Sequence, residues 1–309
     1  MKHVVRLMAV CGLLIAFAFG AAAEPVSFTD ALGQSFTLEP PQRVVTLMGS
    51  FAHIWLLAGG EESLVGTSED TTDTRDLGIP EHVVSVGTYQ NPNMEAIISL
   101  DPDLVLLSSD TVRTSNHVAL KDSLAAAQIP AAYFKVTHFE DYLAMLKICS
   151  LLTGDEAAYA QNGETVALEV ERAIAEGQRS DAPSVLLRIT YSGGVRPQGE
   201  DTMTGRMLAQ LGCRNILSEY PSLLSDFSME RIMEIDPDYI FVIPMGNDEE
   251  AVRRNLQKSV ESNPAWNSLT AVAEGRYILL PGDKFLYKPN AAWADSYEYL
   301  AKMLGGAHK

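Results

Sequence analysis

Cysteine is nearly absent: the 309 residues hold three, Cys11, Cys149 and Cys213, too scattered for a thiolate metal cluster. Positive charge is short as well, with 23 Lys and Arg against 40 Asp and Glu and a net charge of −17. That balance argues against nucleic acid or an anionic membrane as partner, because both need a basic surface. The one long apolar run, residues 7–19, falls short of the ~20 residues that cross a bilayer. Also missing are G-x-S-x-G, G-x-x-x-x-G-K, H-E-x-x-H and any His-rich loop, so no standard hydrolase, nucleotidase or metalloprotease centre is written here.

What is present begins with an export signal. Lys2 and Arg6 precede the apolar run, and Ala21, Ala22 and Ala23 follow it, the pattern of a secretory leader cleaved after Ala23. The expected address is the periplasm. The mature chain then has 309 − 23 = 286 residues and a net charge of −17 − 2 = −19. It keeps Cys149 and Cys213, expected as buried free thiols.

The chain also repeats itself. Residues 94–107 return as 229–242, with Met, Glu, Ile, Asp, Pro and Asp at the same offsets. Asn93 and Ser228 are good N-caps, Glu95 and Glu230 fall in the first turn of a short helix, and Pro102 and Pro237 stop it. A continuous apolar run follows, the mark of a strand buried on both faces of a parallel sheet. One such unit in each half predicts two similar lobes.

Strand and helix alternate over 24–153, giving a parallel α/β lobe, and again over 181–309. Residues 155–178, rich in Ala and Glu and free of proline, predict one long helix of about 35 Å with Gly163 as its soft point, the connector being placed at 154–180. The fold class expected is therefore α/β, two Rossmann-like parallel-sheet lobes joined by a single long helix.

The order and spacing of residues 29–33, 43–47, 65–66, 86–87, 93–105, 211–216, the second repeat and 263–276 resemble the class III substrate-binding proteins of ABC importers for ferric siderophores, haem and vitamin B12. The resemblance covers nearly the whole mature chain. It implies a monomer that holds its ligand between two lobes and moves little at the hinge. The ligand is cargo, an iron chelate, haem or corrinoid, so no resident cofactor or metal is expected. The resemblance further implies that Glu95 and Glu230 dock on arginines of an inner-membrane permease. The plainer role for either acid is to complement the helix dipole, worth about 0.3–1 kcal/mol.

Open parallel sheets bind at the carboxyl ends of their strands. That rule places Met48, Ser50, His53, Tyr89, Arg113, Tyr133, Tyr191, Arg196, Met245, Lys284, Phe285, Tyr287 and Lys288 near the cleft. Arginine forks suit carboxylates, catecholates and phosphates, and aromatic rings suit a large planar or macrocyclic ligand. Arg188, in mid-strand, reads as structural or as an interlobe pair. Two other readings stand beside the main one: a bare zinc or manganese carrier using His53, His117 or His138 with carboxylates such as Asp226 or Asp283, and, more remotely, a chelatase-like enzyme on the same framework. Which ligand is carried is not decided by these residues.

Overall fold

In the computed structural model, residues 24–69, 77–110, 115–191, 194–224, 228–245 and 262–305 are described, together with Arg254, Leu256 and Gln257. An antiparallel hairpin, β1 (Val26–Thr29) and β2 (Ser35–Leu38), comes first. Its turn is closed by Asp30, whose Oδ1 accepts from the amides of Leu32 and Gln34 at 2.9 and 2.8 Å.

The first lobe is a sheet of β3 (Val44–Thr46), β4 (Leu64–Thr67), β5 (Val84–Ser85), β6 (Leu104–Ser108) and β7 (Ala131–Phe134), ordered β5-β4-β3-β6-β7 with every pair parallel. Its helices are α1 (Gly49–Leu57), α2 (Met94–Ser99), α3 (Ser115–Ala119), α4 (Lys121–Ala126) and α5 (Phe139–Thr153). The connector follows as α6 (Glu156–Tyr159), a π-helical turn over Ala160–Thr165, and α7 (Val166–Gly177). Helical backbone angles persist across both junctions, so it runs as one helix. The π turn contains Gly163, and a Cβ there would stand 2.8 Å from the Tyr159 ring. Widening the ladder frees carbonyls; the Tyr142 hydroxyl donates to that of Asn162 at 2.6 Å, and the Thr165 hydroxyl to that of Ala160 at 3.0 Å.

The second lobe holds β8 (Ser184–Tyr191), β9 (Gly194–Pro197), β10 (Arg214–Asn215), β11 (Tyr239–Pro244) and β12 (Tyr277–Leu279). Four strands are parallel in the order β10-β8-β11-β12, while β9 pairs antiparallel with the end of β8. The stretch 191–199, which reads as a glycine-rich turn, thus contains a strand. Around the sheet lie α8 (Met203–Gln210), α9 (Ile216–Glu219), α10 (Met229–Ile235), α11 (Thr270–Ala273), α12 (Gly282–Phe285) and α13 (Trp293–Gly305). The charged stretch 249–260, whose sequence reads as a helix, falls mostly outside the described residues.

Both repeats fold alike. The Asn93 side chain caps α2, accepting from the amides of Glu95 and Ala96, and the Ser228 hydroxyl caps α10. Each helix then turns through a left-handed aspartate just before its proline, Asp101 at φ 46° and Asp236 at φ 44°. The next aspartate clamps the neighbouring strand at its start. Asp103 accepts from the amides of Gln42 and Arg43 at 2.7 and 3.0 Å, and Asp238 from the amide and hydroxyl of Ser184 at 2.8 and 2.7 Å.

Alternate residues of each central strand enter different cores. Val45, Val105 and Leu107 face one way in the first sheet, and Leu186, Ile240 and Val242 do so in the second. Their opposite faces share one continuous core. It runs from Val44, Leu104 and Phe134 through Val166, Val170 and Ala173 of the connector and Tyr297 and Leu300 of α13 to Leu187 and Phe241. Cys149 and Cys213 are buried and free, as expected; burial pushes the Cys213 thiol up to about 12 and raises that of Cys149 further.

Candidate functional site

The carboxyl ends of the two sheets present the loops after β3, β5, β8, β11 and β12. On the first lobe Met48 stands, half-buried and extended, just before α1. Ser50 is buried in the first turn and His53 is half-buried one turn on. Tyr89, half-buried after β5, is held by its backbone: its carbonyl lies 2.7 Å from His117 Nε2. His117 is fully buried and its Nδ1 accepts from the Ser108 amide at 3.1 Å. An accepting Nδ1 leaves the proton on Nε2, so His117 is neutral and supports the loop.

Two expected cleft residues are core residues instead. Tyr133 is fully buried and packs with Leu107 and Leu124, its hydroxyl donating to the His117 carbonyl at 3.3 Å. Burial first, then the charges of Asp30 and Asp122, push its phenol up to about 12. Phe285 is 3% exposed and lies against the Tyr299 ring at 5.6 Å. The strand turns the Tyr133 ring inward, and its all-apolar segment Ala131–Phe134 gives no alternation from which to read that; Phe285 is turned inward by a single helical turn whose other residues are Gly, Asp and Lys.

On the second lobe Tyr191 ends β8 half-buried, and Arg196 is exposed on β9 opposite Ile189. Met245 is 38% exposed, and its amide donates to the Thr190 carbonyl at 2.7 Å, tying the loop after β11 to the end of β8. Lys284 Nζ stands 3.9 Å from Asp295, while Tyr287 and Lys288 are half-buried in the loop before α13. Arg113 lies outside the described residues. Arg188 is buried within its own lobe, donating to the Tyr277 hydroxyl at 2.9 Å with its guanidinium 4.7 Å over the Trp266 ring, which is a structural placement.

Glu95 and Glu230 are exposed at the same offset of the two capped helices, while Ile97 and Ile232 below them are fully buried. Among the described residues neither side-chain carboxylate has a hydrogen-bonding or ionic partner. Nor do His, Cys, Asp and Glu gather there in any group of three able to hold a metal ion; Asp226 and His308 are outside that set. An open hollow of about 520 Å³ lies elsewhere, between the end of α1 and the start of the connector, and shares only His53 with the candidates.

Two parallel-sheet lobes, a single helical connector and loops converging from both sheets define a bilobed binding scaffold. The matching family is the periplasmic binding proteins, over residues 44–284, and the chain belongs to it. Similar proteins include the cobalamin-binding protein of Halobacterium salinarum, 30% identical over 267 residues that cover 84% of this chain and 68% of that one. The Fe(3+) dicitrate-binding periplasmic protein FecB of Escherichia coli is 27% identical over 268 residues, 84% of this chain and 81% of its own. Among solved structures, the iron uptake ABC transporter substrate-binding protein PiuA of Streptococcus pneumoniae superposes with a TM-score of 0.70 at 20% identity, covering 92% of this chain and 99% of that one. No helix among the described residues is long and apolar enough to cross a membrane.

Proposed function

We propose that this chain is an exported receptor of an ABC importer, cleaved after Ala23 and monomeric, that captures an iron chelate, haem or corrinoid between its lobes. Lobes over 24–153 and 181–309 would flank the connector at 154–180. Glu95 and Glu230 would dock on the permease. The observation that carries this reading is the pair of exposed acids presented twice by the same device: a side-chain cap in front, a buried isoleucine below and a left-handed aspartate behind. A dipole partner requires an acid somewhere in the turn; it does not require the same acid at the same offset in both lobes. The names of the relatives, cobalamin-binding and Fe(3+) dicitrate-binding, support the ligand class. Within it, Tyr89, Tyr191, Tyr287, Arg196, Lys284 and Lys288 would face the cargo, with Met48, Ser50 and Met245 at the rim.

Two measurements test this. Purified protein titrated with haemin, cyanocobalamin and ferric dicitrate is expected to shift the visible spectrum of one of them; no response from any, together with tight zinc binding, would favour the bare-metal carrier. Charge reversal, Glu95→Lys with Glu230→Lys, is expected to abolish uptake in cells while leaving the thermal midpoint and ligand titration unchanged. Unimpaired uptake would remove the docking assignment.

A further inference from the structure

We infer that Asn290 is a positioning residue for ligand capture, a pin that fixes the loop 284–290 of the second lobe against helix α1 of the first. Asn290 is fully buried, and its side-chain nitrogen lies 3.1 Å from both the Ser50 carbonyl and His53 Nδ1, across 240 and 237 residues of sequence. The Ser50 carbonyl has no proton to offer, so the group facing it must be the NH₂ of the amide. The same NH₂ then faces His53 Nδ1, which must accept. Both protons of one amide are thereby spent on the first turns of α1.

The backbone is as particular as the side chain. Asn290 sits at φ 54°, a left-handed conformation that asparagine tolerates and most other residues resist. On one side of it lie Lys284, Tyr287 and Lys288, candidate ligand contacts from this loop. On the other, Trp293 packs edge-on against Phe139 of the first lobe, with ring centres 5.7 Å apart. The seam is polar and incompletely matched: Ser50 Oγ, Asn290 Oδ1 and Trp293 Nε1 are buried with no hydrogen-bond partner among the described residues. The two bonds of the amide to Ser50 and His53 are a direct polar tie between this loop and α1, and they set its distance from Met48 and Ser50. A change in that distance changes the width of the cleft.

The ligand arm of the test rests on the receptor reading above; the distance arm does not. Spin labels at Lys121→Cys and Ala273→Cys, both exposed, report the separation of the lobes by double electron–electron resonance, since Cys149 and Cys213 are buried. Asn290→Gly keeps the left-handed backbone and removes the amide. Asn290→Ala removes the amide and adds strain. Asn290→Asp keeps the shape but turns a carboxylate toward the Ser50 carbonyl. All three are expected to broaden the interlobe distance distribution at least twofold and to weaken binding of the responding probe (haemin, cyanocobalamin or ferric dicitrate) at least tenfold, with Asn290→Gly losing less thermal stability than Asn290→Ala. A glycine variant with wild-type distances would show that only the backbone conformation matters, which overturns the pin. Broadened distances with unchanged affinity would overturn the positioning role. Should wild type bind none of the probes, the ligand class fails while the distances still decide the pin.

Discussion

Replacing the strand-clamping aspartates with alanine separates what the two repeats share from what their surroundings add. Asp238→Ala removes the acceptor for the Ser184 amide and hydroxyl, both half-buried where β8 begins. Asp103→Ala does the same to the amides of Gln42 and Arg43, which lie at the surface. Hydrogen bonds to a charged group contribute roughly 1.5–3 kcal/mol each, and an amide left buried costs its own desolvation. Two such bonds in a half-buried site, discounted for partial access of water, give about 2–4 kcal/mol for Asp238→Ala. At the exposed site water replaces the lost acceptor, and about 1 kcal/mol remains for Asp103→Ala. Equilibrium urea unfolding followed by tryptophan fluorescence measures both. Equal losses, or a larger one at Asp103, would refute the argument that burial sets the strength of the clamp.

Gly205→Ala is expected to lower stability by more than about 2 kcal/mol, the scale of overpacking against an unyielding neighbour, because its Cβ would fall 1.9 Å from the Gly199 carbonyl oxygen; a thermal midpoint within a degree of wild type would contradict it. Alkaline stability should be limited in part by Cys213. Its folded pKa is raised from 9.0 to about 12, so the folded state holds the proton more tightly, and the resulting stability is intact below pH 9 and lost as pH rises toward 12. Chemical denaturation of Cys213→Ala across that window should show a shallower decline than wild type.

Much of the fold was legible because the signals that carry it are local. Caps, proline stops and continuous apolar runs specify α2 with β6 and α10 with β11 without reference to the rest of the chain, and the proline-free stretch 154–180 specifies the connector. The soft point expected at Gly163 became a π turn, since the small residue lets the Tyr159 ring cover the widened helix. The site was less legible because its residues are sorted by orientation, which an all-apolar strand does not encode. Tyr133 and Tyr191 both lie on strands, but one points into the core and the other caps a strand end. Strand β9 is hidden in the sequence by Gly194 at its start and the neighbouring Gly193 and Gly199, whose conformational freedom reads as a turn. Nothing in the sequence singles out the side chain of Asn290, because its partners lie 240 and 237 residues away and nothing nearby refers to them.

The core shared by both sheets has a consequence for how the protein comes into being. Val166, Val170 and Ala173 of the connector are covered by α13, the last described helix in chain order. Until that final helix arrives, the apolar stripe of the connector, Val166, Val170 and Ala173, stays open to water. Cutting the chain at the connector would not yield two smaller receptors. It would leave two halves with matching wet faces, each prone to seek the other or to aggregate.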